Sequence, residues 1–296
     1  MSANRILAGI FYGLLLLALL SLTATGGMFI SWQKDRSRLG EIAHSVESRS
    51  GDLRETLTNL TQWVYSNQGF EKNRRYFLWK RLEATPMQVV EGGGDCEDKS
   101  KLLTALLREL SIPATMAMLY HCDAQCEPVH TVVLARTPDG WTPLDSVYNI
   151  TFPDRDGRFL PVQRLMAQPE ILNTRLDQLA AERGPADKIN RYKRNLETYT
   201  YLTTFNWDKN GLTRAVASAI RAMGGDPRVT PRPMLLEDSK EFFTIAGLGL
   251  TVLLLGAAVL VGWVRRILNR RALARRAPAA PGGVPGAAYS ELPPTP

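Results

Sequence analysis

The sequence predicts an α+β domain between two transmembrane helices, and three observations support this prediction. Two long apolar runs lie near the ends of the 296-residue chain. Between them, one leucine-rich amphipathic helix is followed by three short segments with strand character. Helical patterns then return before the second apolar run. A helix, an antiparallel meander and further flanking helices form the segregated order of an α+β fold.

The two apolar runs are long enough to be membrane helices. The first extends without a charge from Ile6 to Gln33, and the second extends from Phe242 to Val264. A helix of this length crosses about 30 Å of hydrocarbon. A cleaved signal peptide is the alternative for the first run, but its apolar region usually has about 7 to 15 residues. Because this run is longer and ends without an A-x-A-like site, we expect an uncleaved anchor in the lipid bilayer.

The positive charge of the chain lies mostly outside the central segment. Six arginines follow the second apolar run against Glu291 alone, and Arg5 precedes the first run, so the formal net charge of +7 leaves the centre nearly neutral. We therefore expect no nucleic-acid-binding surface. Arginine clustered beside a transmembrane helix marks the cytoplasmic side. The prediction is a two-pass protein of the bacterial inner membrane, with a periplasmic central domain and both termini cytoplasmic.

These patterns divide the chain into seven segments. In order, we expect a cytoplasmic amino terminus (1–5), a transmembrane helix (6–33), a helical juxtamembrane segment (34–75), a core domain (76–155), a helical extension (156–240), a second transmembrane helix (242–264) and a basic, then disordered, cytoplasmic tail (265–296). The juxtamembrane helix should be interrupted near Gly51. The end of the tail is rich in proline, glycine and alanine, which favours disorder.

Within the core, apolar spacing predicts one helix and three strands. Five leucines between Lys99 and Leu110 share one helical face, and a proline at 113 stops the helix. The predicted strands are 114–120, 131–135 and 141–144, with a turn at 138–140. Further helices are expected over 161–181, 188–199 and 212–223.

The chain has three cysteines, and two of them are close together. In an oxidising compartment Cys122 and Cys126 are well placed to pair across a tight loop, which leaves Cys96 over. Alternatively, His121, Cys122, Cys126 and His130 could be zinc ligands. Their spacing matches no common zinc motif, so the disulfide is the simpler interpretation.

Cys96 has the local sequence of a reactive thiol. It follows three glycines and opens a helix, where free backbone amides and the helix dipole stabilise a thiolate. A thiolate needs a partner base, and the base needs a third group to orient it. His130 begins the second predicted strand and Asp145 ends the third, so a meander can bring them together. Separately, the three residues also fit an inert cysteine, an ordinary strand histidine and a turn aspartate.

These residues carry a resemblance to a known family. The segments Gly94–Lys99, Leu102–Ala114, His130–Leu134 and Trp141–Asp145 together resemble the core of the transglutaminase-like superfamily, over about residues 85 to 150. That superfamily includes bacterial transglutaminase-like cysteine peptidases. The resemblance implies a papain-like core in which Cys96 is the nucleophile, His130 the general base and acid, and Asp145 the group that orients the histidine.

The resemblance also implies a function. We expect a cysteine peptidase or amide acyltransferase that acts on a protein or peptide substrate of the cell envelope. The alternative is a catalytically silent binding or assembly module at the membrane. Neither interpretation requires a cofactor.

Acidic residues surround the predicted nucleophile. The carboxylates of Asp95, Glu97 and Asp98 disfavour a thiolate. They could cap the helix, face away from the thiol, or bind calcium, and capping is the interpretation we favour. For the oxyanion site, Gln62, Trp63 and Gln88 are candidates without supporting spacing.

Overall fold

The computed structural model describes residues 3–75, 77–79, 82–122, 126–233, 235 and 237–276. Its helices are α1 (Ala3–Val46), α2 (Leu53–Ser66), α3 (Pro86–Gly92), α4 (Cys96–Glu109), α5 (Val162–Ala167), α6 (Glu170–Arg183), α7 (Gly211–Ala222) and α8 (Ser239–Arg276). Its strands are β1 (Ala114–Cys122), β2 (Cys126–Thr137), β3 (Gly140–Leu144) and β4 (Leu202–Thr203). The predicted disorder of the tail concerns residues 277–296, which lie outside the described residues.

The described residues fall into two compact units, one within 3–25 and 246–276 and the other within 26–245. In the first unit, α1 and α8 pack through hydroxyl groups: Thr251 Oγ1 donates to Ser21 Oγ at 2.9 Å, and Ser21 Oγ donates to the Gly247 carbonyl at 3.3 Å. By length and composition, α1 and α8 are the two helices among the described residues that could cross a membrane. The helical conformation predicted for both apolar runs is confirmed, and these helices are compatible with a two-pass membrane protein.

The second unit is built on a four-stranded antiparallel sheet in the order β3-β2-β1-β4. The predicted meander β1-β2-β3 is confirmed. The strand β4 was not predicted, because two residues are too few to show a periodic pattern.

Both faces of the sheet are covered, so successive residues of β2 enter two separate cores. Val132 and Leu134 pack into a cluster with α5, α6 and the segment that leads to β4. Val133 and Ala135 pack into a second cluster with α2, α3 and α4. His130 belongs by alternation to the face of Val132 and Leu134.

Helix α4 is fixed to its neighbours by polar side chains as well as by its leucines. Ser100 Oγ donates to the Thr131 carbonyl at 3.0 Å, which ties α4 to the strand that carries His130. Lys99, which is 2% exposed, donates through Nζ to the carbonyls of Val64 and Asn67 at the end of α2. Burial and the nearby Lys188 lower the pKa of Lys99 to about 8.

Ion pairs hold the far end of α4. Arg36 of α1 makes a bidentate pair with Glu109, with nitrogen to oxygen distances of 2.8 and 3.0 Å. Arg108 pairs with Glu241, the third residue of α8. Within this unit, therefore, the C-terminal part of α1 and the first turn of α8 are joined to the helix that begins at Cys96.

The helical predictions beyond the sheet need two corrections. The predicted helix over 161–181 is two helices, because Pro169 has no amide with which to continue α5. The predicted helix over 188–199 is wrong: only Lys188–Arg191 forms a 3-10 turn. In this segment the Tyr192 hydroxyl donates to the Glu197 carbonyl at 2.8 Å. The rings of Tyr192 and Tyr199 are buried, and this packing, in place of helical hydrogen bonds, determines the path of the chain.

Candidate active site

Cys96 is the first residue of α4, and its neighbours cap the helix. Asp95 Oδ1 accepts hydrogen bonds from the amides of Glu97 and Asp98 at 3.1 and 3.2 Å. In return, Asp98 Oδ2 accepts from the amide of Asp95 at 3.4 Å, which completes a capping box. The capping interpretation is confirmed for Asp95 and Asp98. Their oxygens are engaged by backbone amides at the helix start.

The glycine run lets the chain turn tightly into α4. Gly93 has a φ of +70°, and a Cβ at this position would lie 2.5 Å from the Gly69 carbonyl oxygen. A Cβ on Gly94 would lie 2.2 Å from the Cβ of Asp98. Since real Cβ atoms do not approach so closely, a side chain at Gly94 would displace the cap beside Cys96.

Asn73 holds this turn in place and was not found from the sequence. Its side-chain Nδ2 donates to the carbonyls of Gly93 at 2.7 Å and Gln88 at 3.1 Å. Its backbone N–H donates to Asp98 Oδ2 at 3.3 Å. A buried asparagine with no motif around it gives no signal in a single sequence.

The structure brings His130 and Asp145 together. The β2–β3 register pairs Val133 with Leu144, and its continuation places Asp145 opposite Val132, diagonal to His130 on the same face. His130 Nε2 donates to Asp145 Oδ2 at 2.8 Å. Both residues are buried, with exposures of 4% and 0%.

Asp145 is itself held by the turn that follows β3. Its amide and carbonyl each bond Ile150 at 3.0 Å, which closes the turn. Its Oδ1 accepts from the amides of Val147 and Tyr148 at 2.9 and 3.1 Å, and this leaves Oδ2 for the imidazole. The carboxylate is thus oriented before any substrate arrives.

Cys96 is the third residue of the site, after His130 and Asp145. Its thiol lies close enough to His130 to raise the pKa of the imidazole, and with Nε2 engaged by Asp145 the imidazole nitrogen left for the thiol is Nδ1. Burial lowers the pKa of His130, but the charge and hydrogen bond of Asp145, with a smaller contribution from Cys96, outweigh it and raise the pKa to about 10. The imidazole is therefore protonated at neutral pH.

Glu97 has a different environment from the two capping carboxylates. Burial and the neighbouring Glu83 raise its pKa to about 7, against a smaller opposing effect of Lys101. Lys101 Nζ also pairs with Glu83 at 3.1 Å. A small cavity of about 50 Å³ lined by Lys72, Asn73, Glu83, Ala84, Asp95, Glu97 and Asp98 adjoins this group.

A second group of residues lies around His130, and the sequence did not reveal it. The rings of Tyr148 and Tyr192 meet the imidazole edge-on, with centroids at 5.6 and 6.4 Å. Glu197 is buried beside them. Tyr192 and Glu197 come from the segment that was wrongly predicted as a helix, so their approach to His130 follows only from the three-dimensional path of the chain.

The other two cysteines form the predicted disulfide, Cys122–Cys126, and Cys96 is free. The zinc alternative is therefore wrong, because thiols joined in a disulfide cannot be zinc ligands. Across the described part of the chain, no group of three or more His, Cys, Asp or Glu residues is arranged to hold a metal ion. The proposed calcium ion near Asp95, Glu97 and Asp98 stays a prediction.

The oxyanion candidates are engaged elsewhere. Gln88 completes the capping box of α3 with Thr85, and Gln62 accepts a hydrogen bond from the side-chain amide of Asn149. Trp63 packs against the core around α4. None of the three has a contact with Cys96 among those the structure describes.

Comparison with known proteins identifies the segment that contains this site. Residues 40–146 match the family model of the transglutaminase-like superfamily. This segment is a transglutaminase-like domain. The match spans α2 to β3 and includes Cys96, His130 and Asp145, whereas Tyr192 and Glu197 lie beyond it.

One solved structure with detectable likeness to this chain is described as "a Putative Cysteine Protease from Cytophaga hutchinsonii". It is 20% identical, the match covers 39% of each chain, and the TM-score is 0.31. The chain thus spans about two fifths of that protein. No curated protein matches this chain significantly.

Proposed function

We propose that this chain is a membrane-anchored periplasmic thiol enzyme that cleaves or transfers acyl groups of peptide or amide bonds in envelope proteins. The observation that carries the proposal is the row formed by Cys96, His130 and Asp145. A thiol at a helix start, an imidazole and a buried carboxylate in this order are the parts of a nucleophilic triad.

The first step follows from the protonation of His130. In the proposed first step a proton passes from the Cys96 thiol to His130, whose pKa is raised to about 10, so that the sulfur reacts as a thiolate beside an imidazolium. The Cys96 sulfur attacks the carbonyl carbon of the substrate, and the carbonyl electrons move to oxygen. The backbone amide of Cys96 is a candidate donor to this oxyanion.

The next step passes the proton to the leaving group. His130 donates its Nδ1 proton to the amine nitrogen, the carbon–nitrogen bond breaks, and a thioester on Cys96 remains. The neutral imidazole then takes a proton from water or an amine, which attacks the thioester and releases the sulfur. Asp145 keeps the imidazole oriented and its Nε2 protonated throughout.

A simple ester tests this chemistry without knowledge of the natural substrate. Treated with p-nitrophenyl acetate, the full chain should gain one acetyl group on Cys96, detected by mass spectrometry, and then lose it by hydrolysis. Cys96→Ala should not be acetylated, and His130→Ala should be acetylated slowly. Equal acetylation of the wild type and His130→Ala would overturn the enzyme proposal.

A cellular comparison separates the enzyme from the silent module. Deletion of residues 76–155 should abolish function under either interpretation. If Cys96→Ala restored full function to the deletion strain, the domain would serve as a binding or assembly module. Failure of Cys96→Ala, with normal protein levels, supports turnover.

The proposed location places the transglutaminase-like domain in the periplasm, with both termini in the cytoplasm. It is supported by the two apolar helices and by the arginines after residue 264. Reporter fusions at Gly157 and Ala277 should give opposite compartments. The same compartment at both positions would contradict this topology.

A further inference from the structure

The region around His130 contains a buried acidic side chain that the triad does not use. Glu197 is 4% exposed, and its Oε2 has no hydrogen-bond partner among the described residues. The Tyr148 phenol and the Lys193 backbone amide also act on this carboxylate, but a buried oxygen without a partner is costly unless a nearby charge compensates it.

The groups that face Glu197 come from several elements. His130 of β2 is the cation with the largest effect on its pKa, and Lys193 of its own segment has a smaller effect. Asp145, after β3, acts in the opposite direction. Burial raises the pKa of Glu197 above its usual value, whereas His130 lowers it.

Three tyrosines, Tyr148, Tyr192 and Tyr199, lie near Glu197. The Tyr148 and Tyr192 rings lie 4.8 Å apart by their centroids, and both contact the imidazole of His130. Burial and then Glu197 raise the pKa of the Tyr148 phenol. The hydroxyl of Tyr199 is buried without a hydrogen-bond partner in the described part of the chain. Because His130 and Glu197 are both almost completely buried, charges on these two residues interact strongly.

We propose that Glu197 is a second carboxylate for His130: a buried positioning residue that, together with Asp145, stabilises the imidazolium. Its charge favours a proton on His130, and a protonated His130 in turn favours the charged form of Glu197. This inference rests on the proposed function only for its effect on turnover, because the effect on the imidazole itself does not need a substrate.

The step of catalysis that Glu197 influences is the formation of the ion pair. Transfer of a proton from the Cys96 thiol to His130 creates a positive charge that Asp145 and Glu197 both face. When the imidazolium gives its proton to the leaving amine, that stabilisation is lost, so Glu197 should favour attack more than leaving-group departure. No proton needs to reach Glu197 itself.

Histidine-selective NMR on the full chain in detergent tests the proposal directly. The sequence has three histidines, and His44 and His121 serve as internal references. Glu197→Gln should lower the pKa of His130 by about one unit, the scale expected for loss of a nearby opposite charge. Glu170→Gln, which removes an exposed carboxylate on α6, should leave it unchanged.

A second variant separates charge from shape. Glu197→Asp keeps the carboxylate and should restore most of the His130 pKa, even though the side chain is shorter. An unchanged His130 pKa in Glu197→Gln, or equal losses in Glu197→Gln and Glu197→Asp, would overturn the proposal. If Glu197→Gln fails to fold, Glu197→Ala removes the same charge: a lowered His130 pKa in that variant supports the proposal, and an unchanged one contradicts it.

The two proposals can fail separately. If Cys96 is not acetylated but Glu197→Gln lowers the His130 pKa, the enzyme proposal falls and the role of Glu197 stands. If Cys96 is acetylated but the His130 pKa is unaffected, the reverse holds.

Discussion

Carboxylates lie both near Cys96 and near His130, but they have different partners in the two places. On the side of Cys96, Asp95 and Asp98 accept backbone amides at the start of α4. On the side of His130, Asp145 bonds the imidazole itself and Glu197 faces the same ring. The same chemical group therefore stabilises the start of a helix near Cys96 and the protonated imidazole near His130.

Burial explains why the second arrangement has the larger electrostatic effect. The Cys96 side is partly open to solvent, whereas His130, Asp145 and Glu197 are almost completely buried. Charges interact more strongly where water is excluded. The number of acidic residues near a thiol therefore says little about the ionisation of that thiol until the hydrogen-bond partners of those residues are known.

The largest expected difference comes from the same substitution made on each side. Asp145→Asn should slow acetylation of Cys96 by about 10²-fold or more, because the imidazole loses its charged partner and correct tautomer. Asp95→Asn should have a small effect, because asparagine also caps a helix start. Stopped-flow rates with p-nitrophenyl acetate measure both. Equal losses in the two variants would remove the distinction between the sides.

A second test concerns the turn on the Cys96 side. Gly94→Ala should lower the free energy of unfolding by about 2 kcal/mol, the usual cost of forcing extra atoms into a packed site. Gly211→Ala is the matched control, because a Cβ there meets nothing within 4 Å. Chemical denaturation of the two proteins compares them. A Gly94→Ala variant as stable as Gly211→Ala would contradict the close approach to Asp98.

The smallest expected effect belongs to Glu97. Its folded pKa of about 7 lies above its usual value of 4.5, so the folded state binds more protons and its stability falls as pH rises through this window. Glu97→Gln should therefore be more stable than the wild type at pH 8, by on the order of 1 kcal/mol, and similar to it at pH 4.

Thermal denaturation at both pH values measures the difference between the proteins. Glu71→Gln, on an exposed loop, is the control and should show no such pH dependence. A Glu97→Gln variant that is destabilised equally at both pH values would show that Glu97 contributes through packing instead of repulsion.

The two sides also differ in how far the sequence predicts them. The Cys96 side is local: glycines, a capping aspartate and a leucine face lie within the nineteen residues from Gly92 to Leu110 and predict the start of α4. The strand positions of His130 and Asp145 follow from alternation and from the turn at 138–140. The disulfide follows from cysteine spacing.

The residues around His130 could not be predicted in this way. Tyr192 and Glu197 lie in an irregular segment where tertiary packing overrides the apparent helical spacing, and Tyr148 lies in a turn. Asn73 likewise acts through carbonyls that are distant in sequence. Periodicity detects regular elements, whereas these contacts depend on where irregular chain segments meet.

The pH dependence of Cys96 alkylation tests the central claim most directly. In the full chain, Cys96 is the free thiol and the other two cysteines are paired, so iodoacetamide reports on Cys96. We predict that the wild-type rate is already near its maximum at pH 7, because a protonated His130 stabilises the thiolate. In His130→Ala the rate should rise only through about pH 8 to 9, where ordinary thiols ionise. A wild-type curve that coincides with that of His130→Ala would contradict the account.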